Sequence, residues 1–458
     1  MKIFEKQLFK RMQKAEEETQ KQICIGQVFG ASIFEQVSAD PPKYAIYQQM
    51  SDGSWETSEQ RSYEGFIPMP DKTPLTHPTK PLEYESENQL FKDVVAYTFK
   101  HLDLLNPASY HVFAGFIFST WINELFDFTP YLGFYGREAV GKTRALEVLK
   151  ELCFRSWFTS GLTTATLFRL VEKFNPTLLL DESEFLTAQE RRELISLLNA
   201  GQRRGITVPR MTGEKFEKVE WFSVYSPKCI AGTEQLKKTT SSRMITFTMT
   251  RNTRDVPRIV NKEKGLKLRN QLLTWRFHKI SQLKDSLSFK EKVAPTFELK
   301  ATTEYKELEP LSGRTYELFY PLYHSAPTGK TDILQFANEL EEIKLAQEKT
   351  ALSSIIFEAI INLKDTHVER GLLLLKDIAE YINSGQPVQY WIHERRIGTK
   401  CGQMGLQKTR TNKGTAIILN EDIIKRLSAD PRYSVDLLNF CEESEEGEAK
   451  KDSVSEWI

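Results

Sequence analysis

Gly136-Arg137-Glu138-Ala139-Val140-Gly141-Lys142-Thr143 is the stretch on which the reading of this 458-residue chain turns. Before it stands the apolar run Tyr131-Leu132-Gly133-Phe134-Tyr135, of the kind that forms a buried strand. After it, Arg144-Ala145-Leu146-Glu147-Val148-Leu149-Lys150 carries helical spacing. Strand, glycine-bearing loop and helix in that order make a phosphate cradle. Gly136 and Gly141 let the backbone fold round an anion, the helix start presents unpaired N–H groups, and Lys142 adds a mobile cation. The pattern predicts that residues 136–143 bind the phosphates of ATP, with the Thr143 hydroxyl on a magnesium ion. The alternative is a glycine-rich turn with no ligand.

Downstream, short apolar runs alternate with helical spacing, which predicts a parallel sheet with helices on both faces. Pro176-Thr177-Leu178-Leu179-Leu180-Asp181-Glu182 ends a strand in two carboxylates, 39 residues after Lys142 to the first of them. Asp181 is placed to hold magnesium through water and Glu182 to polarise an attacking water, with Glu184 as a second candidate base. The competing reading is a buried strand that ends in a solvated acidic loop. Beyond a helix at 188–200, residues 206–211, 212–215 and 216–225 read as strand, turn and strand, a hairpin. The next strand, Lys228-Cys229-Ile230-Ala231-Gly232-Thr233, places Thr233 as a polar sensor of the γ-phosphate. Thr239-Thr240-Ser241-Ser242-Arg243 precedes a further strand at 244–249, a position that suits an arginine reaching into a neighbouring subunit's nucleotide.

Upstream, residues 1–67 read as a β-rich module, with Ser51-Asp52-Gly53-Ser54 as a turn between strands. Prolines at 68, 70, 74, 78 and 81 predict a linker over 68–84. A helical lead-in follows at 85–127, then the nucleotide core at 128–254 and a mostly helical lid or linker at 255–365. Arg254, Arg258, Arg269 and Arg276 are equally eligible there as a lid arginine.

Sixty-two basic residues balance 62 acidic ones, which argues against a uniformly basic nucleic-acid coat. Residues 436–458 hold eight acidic residues and two lysines, so 433–458 reads as a disordered acidic tail. Five dispersed cysteines with no CxxC pair predict a reduced cytoplasmic protein without structural zinc. The most apolar stretch, 112–122, is too short to span a bilayer, and no membrane partner is expected.

Near the C-terminus, residues 366–432 show two helices and then a β-ribbon with a polar, glycine-bearing tip, the order of a winged helix. Between Trp391 and Gly414, Arg395, Arg396, Lys400, Lys408, Arg410 and Lys413 stand against Glu394 alone, a net of +5. That charge fits the backbone of duplex DNA, since each phosphate contact releases counterions. A winged helix used for protein contact is the other reading.

With these residues in hand the chain resembles AAA+ ATPases of the helicase kind, and among them the helicase-like ATPases encoded by plasmids, prophages and other mobile elements. The likeness rests on residues 136–143, the carboxylates of 177–182, Ser226-Pro227-Lys228-Cys229-Ile230-Ala231-Gly232 and Ser242-Arg243-Met244-Ile245, and spans about 130–250. It implies an α/β fold: an AAA+ P-loop NTPase core, with the β-rich module before it and the winged helix after it. In superfamily-3 and minichromosome-maintenance helicases a hairpin at the matching place points basic residues into the central channel of a hexamer. Lys215 and Lys218, with Arg210 behind them, occupy that place here; the bland alternative is an edge hairpin with solvated lysines. Thr233 stands where many relatives carry asparagine. The resemblance implies an ATP-dependent DNA helicase or translocase, a ring-forming homo-oligomer with single-stranded DNA in its channel and duplex at its winged helix, acting in replication of a mobile element. An ATP-controlled DNA-binding switch and a defence or signalling ATPase are the alternatives.

Overall fold

Strands buried along their whole length need cover on both faces, the circumstance of a parallel sheet. Tyr131–Tyr135, Leu178–Leu180 and Lys228–Gly232 are three such strands. They form the middle of a six-stranded sheet ordered Met244–Thr248, Tyr131–Tyr135, Lys228–Gly232, Leu178–Leu180, Ser156–Thr159, Leu75–Thr76. The first five run parallel, and Leu75–Thr76 pairs antiparallel with Trp157 and Ser156. Numbered along the chain, the five parallel strands lie in the order 5-1-4-3-2. The computed structural model describes residues 13–14, 16–17, 21–38, 40–69, 74–159, 164–181, 188–212, 218–236, 238–285, 303–349 and 352–433. It is a mixed α/β fold of two units, residues 1–338 and 339–458.

In the first unit both faces of the sheet are covered. Leu178, Leu180, Ile230 and Tyr131 cluster with Leu167 and Val171 of the helix Thr164–Phe174 and with Leu194 and Leu197 of the helix Ala188–Ala200. Successive strand residues point to opposite faces. On the other face Phe134 therefore meets Phe113, 5.9 Å away on the helix Ala108–Trp121. This helix contains most of the apolar stretch 112–122, and all of its residues except His111 are buried. Burying each large apolar side chain contributes about 1.5–3 kcal/mol, so the run belongs to the protein core. Among the described residues no helix is long and apolar enough to cross a membrane.

The described residues of the proline-rich stretch expected as a linker, 68–69 and 74–84, are built into this unit. Its prolines forbid a long regular element but leave room for the two-residue strand Leu75–Thr76. Gln36 clamps the backbone of Met69 through both side-chain atoms, at 2.8 and 3.1 Å. Further on, Thr79 N–H donates to the Asn270 side chain at 2.8 Å and Leu82 N–H to Thr274 at 3.0 Å. Asn270 and Thr274 belong to the helix Lys262–Asp285, whose Trp275 is fully buried with its ring 4.7 Å from that of Phe118.

The N-terminal strands Gly26–Phe29, Ser32–Val37, Lys43–Gln49 and Trp55–Gln60 form an antiparallel meander. Phe34, Tyr44 and Ile46 make its own small core. It is also joined to the large sheet by a buried ion pair: Arg155 Nε and Nη2 reach the two oxygens of Glu35 at 2.7 and 2.6 Å. The same guanidinium donates to Gly26 O at 2.7 Å and Phe174 O at 3.1 Å.

The second unit runs helix Leu352–Leu363, strand Leu372–Leu374, helix Leu375–Asn383, helix Glu394–Gln403, then strands Lys408–Thr411 and Gly414–Ile418. The strands form one antiparallel sheet with Gly414–Ile418 in the middle. The leucine run 372–375 divides between the two kinds of element: the first three leucines are a strand and the helix starts at Leu375. A run of identical apolar residues carries no period to separate the two. The acidic tail, apart from Tyr433, lies outside the described residues.

Candidate nucleotide and nucleic-acid sites

At the carboxyl end of Tyr131–Tyr135 the chain turns sharply at Gly136, where a Cβ would stand 2.3 Å from Met249 O. Ala139 and Gly141 both adopt left-handed backbone, at φ 59° and 92°. Such turns curl successive N–H groups inward, the arrangement that receives an anion. Arg137, Glu138 and Ala139 are exposed at the tip, while Val140 is anchored in the core. The helix Lys142–Leu152 begins directly after Gly141. Its first side chain folds back, and the Lys142 ammonium donates to Gly136 O at 2.6 Å and Arg137 O at 3.1 Å. The cation is thus held over the mouth of the loop, and the exposed Thr143 hydroxyl follows on the first helical turn.

Register carries two more groups to the same sheet edge. Gly232 pairs with Tyr135, so Thr233 leaves its strand level with Gly136 and is exposed there. Leu180 pairs with Ile230, and Ile230 with Gly133. Asp181 accordingly emerges two strands from the loop, roughly 10 Å across the sheet. It is half-buried, and its N–H donates to Thr159 O at 3.1 Å. Glu182 and Glu184 lie outside the described residues.

Arg243 stands at the opposite edge. Met244 pairs with Tyr131, the amino end of the loop strand, and a five-residue strand separates the two edges by about 13 Å. An arginine so placed faces away from its own loop. It donates to Thr239 O, and burial together with the nearby Arg314 holds its guanidinium below the ordinary range. Two of the four candidate lid arginines are committed to the core instead: Arg269 pairs with Glu151 at 3.3 Å, and Arg276 pairs with Glu124 and donates to Trp121 O at short range. Arg254 pairs with Asp103 at 3.2 Å. Arg258 is exposed, and its carbonyl accepts from Arg144.

The hairpin comprises Thr207–Thr212 and Lys218–Ser223, paired throughout. Lys215 and the tip lie outside the described residues. Lys218 is exposed next to that tip. Arg210 packs onto the two neighbouring helices, stacked 4.0 Å over Phe168 and 3.8 Å from Glu193, which ties down the arm. The other face of the hairpin is apolar and open: Met211 opposes Val219 and Pro209 opposes Trp221, and Trp221 is 63% exposed. Sequence reasoning used the alternation of Val219 and Trp221 with Lys218 and Glu220 to place the strands but read function from the charges alone, and so missed this face.

In the second unit Ile397 and Cys401 anchor the helix Glu394–Gln403, leaving Arg395 and Arg396 exposed and Lys400 half-buried. Lys408 lies along the same helix: a Cβ at Gly398 would meet its stem at 3.5 Å. Arg395, Thr399, Lys408 and Arg410 line an open groove between helix and ribbon. Lys413, at the ribbon turn, is paired with Glu369 at 2.7 and 2.9 Å. Val388 and Trp391 are exposed just before the helix, the indole fixed by a 2.9 Å bond to Gln386 O. Among the described residues no group of three or more His, Cys, Asp or Glu side chains forms a metal-binding cluster.

No family model and no curated protein matches the chain. Among solved structures, the chain is similar to the apo A form of the C-terminal region of NrS-1, at 13% identity, covering 84% of this chain and 97% of that one with a TM-score of 0.33. It is also similar to the Drosophila ORC bound to DNA, at 12% identity over 78% and 96% with a TM-score of 0.19. A third is Cdc6p from Pyrobaculum aerophilum, at 12% identity over 76% and 94% with a TM-score of 0.18.

Proposed function

We propose that this chain is an AAA+ ATP hydrolase that acts on DNA as a ring of identical subunits, a helicase or translocase serving replication of a mobile element in the cytoplasm. The observation that carries the reading is the division of labour between the two sheet edges. Residues 136–143, Asp181 and Thr233 gather at the carboxyl edge, and Arg243 stands at the amino edge. A nucleotide held at one edge cannot be served by the chain's own Arg243, whereas a neighbouring copy can supply it.

The loop amides and Lys142 hold the phosphates. Thr143 and Asp181 have the oxygen donors that magnesium takes, and the ion supplies charge neutralisation on the phosphate oxygens when bound. Glu182 is the base for water. The second unit has the element order of a winged helix, and its exposed Arg395, Arg396 and Arg410 suit duplex phosphates. Lys215 and Lys218 on the hairpin are assigned to single-stranded DNA, while Arg210 is assigned to holding the arm.

ATP turnover and mass in solution, measured with and without an oligonucleotide and a non-hydrolysable nucleotide, test this. The proposal expects assembly beyond one copy and turnover that rises strongly with single strands. A chain that stays monomeric and consumes no ATP under those conditions sinks it. Tight nucleotide-dependent duplex binding with little turnover selects the DNA-binding switch.

A further inference from the structure

The sheet edge away from the phosphate loop carries more positive charge than its carboxylates balance. The turn after the helix Ala188–Ala200 is sewn to the lead into Tyr131: Thr129 N–H donates to Gln202 O at 2.8 Å, and Arg203 stacks 4.8 Å over Phe128. The helix Gly313–Ser325 adds Arg314 and Glu317 to the same place. Arg314 Nη1 donates to Gln202 Oε1 at 2.9 Å, and Gln202 is buried. Glu317 is shared, 2.6 Å from Arg314 and 3.6 Å from Arg203. Arg243 enters beside them, one residue before the Met244–Tyr131 pairing and near enough for both Arg314 and Glu317 to act on its charge. Among the described residues Glu317 is paired with two guanidinium groups, Arg314 and Arg203, and Arg243 lies close enough to feel its charge. The side chains of Arg203 and Arg314 are 59% and 40% exposed, so the excess faces solvent.

An excess of this kind is completed by a compact polyanion, and planar guanidinium forks match phosphate oxygens two at a time. Resting on the reading that Arg243 serves a neighbour's nucleotide, we propose that Arg314 is a second cation acting across that interface, held toward the neighbour's triphosphate by Gln202 and Glu317. The contact surface then includes the helix Gly313–Ser325, well beyond residues 130–250. A nucleic-acid backbone offers the same oxygens, and the experiment separates the two sources.

The test is subunit complementation. Arg314→Gln alone is expected to lower ATP turnover at least tenfold, with Arg314→Lys recovering part of it. Lys142→Ala copies cannot turn over ATP but keep Arg314, whereas Arg314→Gln copies keep an intact loop. Mixed in equal amounts, the two are expected to regain turnover at about a quarter of the interfaces, the share that random pairing provides. Arg243→Ala mixed with Lys142→Ala is the control for the underlying reading. If that control mixture recovers while the Arg314→Gln mixture stays silent, or if Arg314→Gln alone turns over within twofold of the native chain, Arg314 has no such role. Normal turnover combined with weakened oligonucleotide binding in Arg314→Gln assigns the cluster to nucleic acid and overturns the proposal. Full turnover in Arg243→Ala alone removes the reading on which it rests.

Discussion

Removing the Arg155 side chain isolates a carboxylate that the fold has buried completely. Glu35 is fully buried, both its oxygens are bonded to Arg155, and the guanidinium also satisfies two backbone carbonyls. Breaking one half of such a pair costs about 3–5 kcal/mol, because the remaining charge has no solvent and no partner. With a denaturant slope of about 3 kcal/mol per M, the first urea transition of Arg155→Ala, followed by tryptophan fluorescence, should fall by about 1–1.7 M. The loss should also depend on pH. Burial already pushes the Glu35 carboxyl above its ordinary 4.5, and without Arg155 it rises further. A group with a raised folded pKa contributes fully below its unfolded pKa, and that contribution drains away as pH rises through the folded value. The variant should therefore be less impaired near about pH 5 than near about pH 7. Replacing both partners, Glu35→Leu with Arg155→Met, removes the lone charge and should recover part of the loss, while Gly26 O and Phe174 O, left without their donor, keep the double variant below native. An Arg155→Ala shift that is small, or equal at both pH values, would refute the reasoning.

Three further outcomes are expected. Glu369→Gln releases Lys413 at the ribbon turn and should steepen the salt dependence of duplex binding by about one counterion, read from affinity against salt concentration; an unchanged slope removes Lys413 from the contact. Burial depresses the Lys228 ammonium well below its ordinary 10.5, so its contribution is lost as pH falls through the folded value. The urea midpoint of Lys228→Met should then gain on the native chain between about pH 9 and about pH 7, and a constant difference contradicts this. Gly136→Ala forces a Cβ against Met249 O and should cut nucleotide affinity about tenfold or more in a fluorescent-nucleotide titration while far-UV dichroism stays native.

What could be read from the residues is what depends on local chemistry. The loop 136–143 needs its glycines and lysine in one order whatever surrounds it, and its strand and helix are patterned by their own apolar spacing. The hairpin arms declare themselves by alternation in the same way. Destinations set by distant partners were hidden. Nothing local to Arg210 says that Phe168 and Glu193 receive it, and nothing local to Arg269 or Arg276 distinguishes a core ion pair from a phosphate contact. Leu75–Thr76 was invisible for another reason: the three residues between Pro74 and Pro78 show no period, and only the open edge of Ser156–Thr159 makes two of them a strand.

That short strand has a consequence for how copies meet. It covers Ser156 and Trp157 on the outer flank of Ser156–Thr159, whose unpaired amides and carbonyls would otherwise be a template for a sister chain. With half of that flank occupied by its own backbone, the protein is hindered from recruiting a twin there by extending the sheet. Copies that meet through side chains at other faces make and release their contacts one at a time, and a nucleotide can tip the balance.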